Sequence, residues 1–174
     1  RGERHGVPTT GTYRPKTTPD RGSNMMDREL REFADRVMDR RAIDEEDVKM
    51  LQRNILSDIV ITRDIVDVLI ALDRAVPLNC KAYADYLVAL VVDFAVWENR
   101  PTGVIDRDKA HWLVTTLSAG EGPTTTAQRI ANEIAREAEH CDETLLAFAF
   151  AKGAAKDVVR AGVGAAPRVV LLAS

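Results

Sequence analysis

Residues 100–113 read RPTGVIDRDKAHWL, and their reading decides the fold. Gly103 supplies the backbone freedom of a sharp turn, Ile105 follows two residues later as an inward anchor, and Asp106 is placed to cap a helix. Ala110, Leu113, Val114 and Leu117 then recur at the spacing of one helical face. A turn that packs an isoleucine inward and opens a helix at the next residue belongs to a helix–loop–helix protein. Whether such a turn also holds a cation is a separate question, decided by its oxygen atoms.

Upstream of the turn, KAYADYLVALVVDFAVWEN is apolar nearly all the way round, with a narrow polar strip through Lys81, Asp85 and Asp93. That pattern predicts a central, mostly buried helix, which follows Pro77 and is capped by Asn79. Three further helices are predicted before it. Leu30, Phe33, Ala34, Val37 and Met38 form the stripe of the first, from Asp27. Asp44 caps the second, with Val48, Leu51 and Ile55 inward, and Thr62 caps RDIVDVLIALDRAV. Downstream, SAGEGPTTT is a loop, and Ala127, Ile130, Ala131, Ile134, Ala135 and Ala138 mark a sixth helix. A last helix starts near Asp142 with Leu145, Leu146, Phe148 and Ala149, although LAFAFA also fits a strand.

The two ends read differently. RGERHGVPTTGTYRPKTTPDRGSN lacks apolar periodicity and cannot repay its ordering entropy with its own contacts. Its residues 1–22 hold five Lys/Arg against two Asp/Glu, which leaves −6 of the net −3 on the remainder. The expected organisation is a flexible basic N-terminal arm over 1–24, a helical domain over 25–155 and an apolar C-terminal extension over 156–174, where RVVLLAS reads as a docked end.

Composition excludes some function classes. With 45% hydrophobic and 29% charged residues the chain is an ordinary globular one, and a net charge of −3 is too small for a dedicated nucleic-acid or membrane-surface binder. The apolar run YLVALVV, 86–92, falls far short of the roughly 20 residues a membrane-spanning helix needs. Cys80 and Cys141 make no disulfide framework, so a reduced, cytoplasmic setting is expected, with pairing of the two left open. The chain as given begins at Arg1, so a targeting segment ahead of it also stays open.

The quoted turn has two look-alikes. AIDEEDVKML from 42, VITRDIVDVL from 60 and VIDRDKAHWL from 104 share an Ile, a capping Asp or Thr, and apolar residues at fixed offsets ending in Leu. Over roughly residues 30–118 this skeleton resembles the EF-hand-like helical repeats of TerB-like domains, the tellurite-resistance family, and bacterial all-helical proteins built on the same element. The resemblance implies an all-α bundle and, in some members, acidic residues that bind a divalent metal.

The chain departs from a working calcium loop, which needs oxygens at positions 1, 3 and 5 and a bidentate Glu at 12. With Ile105 at position 8, Arg100 and Lys109 fall at positions 3 and 12. The turn at Ile43 offers Arg36, Met38 and Arg40 first and Asp47 last, and that at Ile61 offers Asn54, Leu56 and Asp58 and closes with Ile65. No calcium in these loops is expected.

Other chemistry is sparse. Asp93 interrupts the most apolar helix and is the candidate perturbed carboxylate, but an edge position meeting solvent or an arginine explains it more simply. His140, Cys141, Cys80 and His111 lack the spacing of a zinc site, and a small buried thiol beside a surface histidine accounts for the adjacent pair. AGVGAA lacks the Lys-Ser/Thr of a phosphate loop, and the cap alone accounts for the threonines of GEGPTTT. Trp97 and Trp112 flank the ENRPTGVID loop, either as partner anchors or as rings that close it.

The prediction is a single all-α bundle of six to seven helices with degenerate EF-hand-like repeats. Its expected role is a non-enzymatic protein-interaction module, an adaptor or accessory subunit, with no cofactor or metal. Contacts with another protein are expected through the arm, where Tyr13 and Arg14 stand, through the C-terminal extension, and at Trp97 and Trp112. One rival is a TerB-like divalent-metal or stress-response domain using Asp44, Glu45, Glu46 and Asp47, residues that equally suit a helix start. Another is a small hydrolase or transferase with a polar pocket at Asp93 or His111.

Overall fold

The apolar pair of the quoted turn, Val104–Ile105, forms a two-residue strand whose partner is His140–Cys141, not another of the isoleucine turns. The computed structural model describes residues 21–57, 59–98 and 100–151, with side chains from residue 28. The predicted contacts Tyr13 and Arg14 and the extension over 156–174 lie outside the described residues.

The chain runs α1 (Arg21–Arg40), β1 (Ala42–Ile43), α2 (Glu45–Met50), α3 (Arg63–Ala75), β2 (Leu78–Asn79) and α4 (Lys81–Val92). It continues as β3 (Val104–Ile105), α5 (Arg107–Ser118), α6 (Thr125–Glu137), β4 (His140–Cys141) and α7 (Glu143–Phe150). Two helices widen before they end: α2 runs on as a π-helix over Leu51–Ile55, and α4 over Asp93–Glu98. The fold is all-α, with seven α-helices and only two-residue strands among the described residues.

Local sequence explains where most helices start. The carboxyl or hydroxyl oxygens of Asp44, Thr62, Asp106, Thr124 and Asp142 each accept from a backbone N–H in the first turn of the following helix. Two expectations need correction. Helix α1 begins at Arg21, inside the stretch assigned to the arm. Asn79 does not cap α4; it sits in β2 and its amide donates to Asp73 O at 2.9 Å, leaving Cys80 at the cap without a side-chain bond.

The strand pairs reveal a repeat. Ala42 pairs with Leu78 and Val104 with His140, both parallel and both 36 residues apart (42 to 78, 104 to 140), so one pair lies 62 residues after the other. The same step of 62 carries the caps Asp44 and Thr62 onto Asp106 and Thr124, and α3 onto α6. It also carries the bond from Cys80 N to Ile43 O onto that from Asp142 N to Ile105 O, at 3.0 and 2.9 Å. Buried positions follow: Leu51 and Leu113, Ile55 and Leu117, Leu72 and Ile134, Tyr83 and Leu145.

Each half is thus a strand, a crossover of two helices, a parallel strand and a closing helix, as parallel pairing requires. Helix α4 closes the first half and, with its π-helical continuation, leads into the second. Ile61, the third look-alike, is in no strand; it packs half-buried ahead of α3.

One core joins the halves. Phe33, Leu69, Leu87, Leu113, Ile130 and Leu145 are all fully buried in it. Tyr83, also buried, donates its hydroxyl to Leu69 O at 2.8 Å, and burial raises its pKa so that it remains a donor. Polar links cross between halves as well: Asp73 accepts from Thr124 Oγ1 at 2.6 Å, and Arg74 donates to Thr116 O at 2.7 Å.

The repeat exposes one local misfit. Gly103 turns at φ 74°, and its counterpart 62 residues earlier is Arg41, held at φ 55°. A side chain there is strained, whereas glycine is not. Arg41→Gly should therefore stabilise the protein by about 0.5–1 kcal/mol. Gly103→Ala, whose Cβ would stand 3.2 Å from Glu139 Cγ, should destabilise it. Urea unfolding of the two variants reads both signs, and a destabilised Arg41→Gly would show the turn to be unstrained.

Candidate functional site

The turns already contain cations, and the chain supplies them. In the first, Arg40 Nη2 donates to Ala42 O and Asp44 Oδ2, both at 3.2 Å, and to Asp47 Oδ2. In a calcium loop counted with Ile43 at position 8, Ala42 O and the Asp47 carboxylate would stand at positions 7 and 12. The guanidinium thus engages the oxygens that an ion would use. Asp47 is 3% exposed, receives Asp44 N at 3.0 Å in a reciprocal capping box, and has Arg36 at 3.9 Å.

In the quoted turn, Lys109 takes position 12 and its ammonium donates to Val104 O, the position-7 carbonyl, at 3.0 Å. Glu46 is held by Lys49 at 2.6 Å, so three of the four acids in the helix start 44–47 already face a cation. No group of three or more His, Cys, Asp or Glu among the described residues is arranged for a metal. Millimolar calcium or magnesium should leave the thermal unfolding midpoint in place; a rise with metal concentration would reveal binding to the folded state.

The remaining catalytic candidates do not converge. Asp93 is exposed on the π-helical end of α4, while the exposed His111 lines a different cleft with Arg63, Arg107 and Thr144. Cys141 is a half-buried free thiol whose pKa is pushed up by burial and then by Asp142, the reverse of what activates a thiolate. Cys80 is likewise free.

The two tryptophans have different fates. Trp112 is built into the α3–α5 contact: its indole N–H donates to Asp67 Oδ1 at 2.9 Å, Phe94 meets it edge-on at 6.0 Å, and Arg63 stacks 4.5 Å over its ring. Trp97 is 46% exposed, and its N–H donates to Glu137 Oε2 at 3.2 Å.

Trp97 ends a row. Asp85, Ala89, Asp93 and Trp97 are spaced four apart along α4 and its π-helical continuation, and Arg129, Glu133 and Glu137 are spaced four apart along α6. The two rows line a groove of about 340 Å³ with an apolar share from Val88 and Val92. Four carboxylates and one guanidinium line it, and a second guanidinium, Arg136, holds Glu133 by both oxygens at 2.8 Å. Lys81 and then Arg129 hold the Asp85 carboxyl below its usual range, so this end is neutralised. The Trp97 end is the acidic one; burial and then the Asp93 charge push the neighbouring Glu98 carboxyl up.

The polar strip through Asp85 and Asp93 was readable in the sequence, but the row on α6 was missed. Its spacing of four was visible, whereas the helix it faces was not. No family model matches the chain, and comparison with curated proteins and with solved structures gives no match either. No helix among the described residues is long and apolar enough to cross a membrane.

Proposed function

We propose that this protein is a non-enzymatic interaction module, an accessory subunit whose groove beside Trp97 receives a cationic segment of another protein. The carrying observation is Trp97 itself: a large indole left 46% exposed at the acidic end of a groove that also offers Asp93 and Glu137. Tryptophan is the residue most enriched among interface anchors, and an indole beside carboxylates attracts a lysine or arginine both through its ring face and through charge. The π-helical widening of α4 over Asp93–Glu98 supports the reading, since such segments recur at functional sites. The resemblance to TerB-like domains fits the same role, a helical scaffold whose turns serve as joints.

The test is quantitative cross-linking and affinity capture of the full chain from its source cell, wild type beside Trp97→Ala. A partner retained by the wild type should bind the variant about 30-fold more weakly, a loss of about 2 kcal/mol. Its binding should also weaken as salt rises. Equal retention by both forms, or a partner with no basic contact segment, would overturn the proposal. Thermal unfolding of the variant should match the wild type, because Trp97 lies outside the buried core.

A further inference from the structure

A second groove, of about 600 Å³, lies between α1 and α3 beside Leu56, Ile59 and Val60, away from Trp97. Its lining includes the buried Leu30, Leu56 and Ile65, and its rim leaves Val60 83% and Val68 37% exposed. The internal repeat provides a control. In the second half the corresponding positions are closed: Val96 and Ile130, the counterparts of Ala34 and Val68, are both 0% exposed. The segments differ in the same sense: Leu56, Ile59 and Val60 stand where the second half has Ser118, Glu121 and Gly122. The first half therefore carries extra apolar residues at the place where its helices leave a gap, a pattern that fits burial against something further.

We infer that the apolar run Val169–Val170–Leu171–Leu172 of the same chain occupies this groove. Three observations favour that occupant. An extended segment presents alternate side chains to one face, so either Val169 with Leu171 or Val170 with Leu172 enters together. The intervening residues 152–168 reach roughly 55 Å when extended, more than the roughly 35 Å width expected of a domain this size. Arg168, directly before the run, meets a rim that carries Asp35 and Asp64 against one arginine, Arg31. The N-terminal residues 1–20 are a poorer match, offering only Val7 and Tyr13 as large apolar side chains.

Methyl-resolved NMR of the full chain tests this. Contacts between the Leu171 or Leu172 methyls and those of Val60 or Val68 are expected. They should be unchanged on dilution and lost both in the double variant Leu171→Glu, Leu172→Glu and, from the other side, in Val68→Glu at its exposed site. The inference is overturned if those contacts are absent in the wild type, or if Tyr13 gives them instead. It is equally overturned if a mixture of labelled and unlabelled chains shows that they pass between molecules, which would make the occupant a second copy. The Trp97 groove takes no part in these measurements, so their outcome is separate from that of the partner test.

Discussion

Leu113→Ala should lower the free energy of unfolding by about 3–4 kcal/mol, and Leu51→Ala should do nearly the same. Both leucines are 0% exposed, and they hold the same place in the two halves, each seven residues into its unit from Asp44 or Asp106. Removing three carbons from either leaves a cavity that helices anchored at their starts by caps and strand pairs cannot readily close. Against a typical total of about 5–15 kcal/mol, each single change takes a large share. Urea unfolding followed by circular dichroism at 222 nm, a standard helix signal, reads it. A cost below about 1 kcal/mol at either site would mean that the site repacks freely, contrary to the close packing of its neighbours.

Asp47→Ala should destabilise by about 2–3 kcal/mol, an unusually large effect for an acid at a helix start. The carboxylate is buried, accepts Asp44 N and holds Arg40, so its removal strips a cap and leaves the guanidinium with one carboxylate fewer. Arg40→Ala should cost less, because Arg40 is itself partly exposed and Arg36 stays near Asp47. A double-mutant cycle between the two should return a coupling of about 1 kcal/mol. Simple additivity would mean that Arg40 does not act through Asp47. Asp47→Asn separates the parts further, since the amide oxygen can still cap while the charge is gone.

Much of the architecture was legible because capping is local. Asp44, Thr62 and Asp106 announce their helices by type and position, and the side chains that follow repeat at helical spacing. Ile43 and Ile105 were legible as inward anchors for the same reason. Their partners were not. Leu78 is more than half exposed and His140 is exposed, so neither carries an apolar signal. The pairs are held by backbone bonds such as Cys80 N to Ile43 O, which any residue could make. Ile61 fitted the side-chain pattern and still found no strand, because a pattern of side chains does not specify a backbone partner.

The turns show the same limit. Sequence placed Arg40 and Lys109 where ligands should be, and so read them as defects. Only the geometry shows them reaching the Ala42 and Val104 carbonyls. For the groove, the polar strip on α4 was visible and so was Trp97, but the facing of α4 on α6 depends on a tertiary contact between helices separated by a loop, a turn and a further helix.

Helix α4 belongs to both halves, and this bears on how the molecule comes apart. A tandem of independent modules can lose one member while the other persists. Here loss of either half uncovers one side of the same helix, with Tyr83 and Leu87 among its buried residues, so neither half has an intact remainder to survive as. Melting should therefore proceed as one all-or-none event despite the 62-residue repeat, and hydrogen exchange along α4 should report the global opening rather than a partial one.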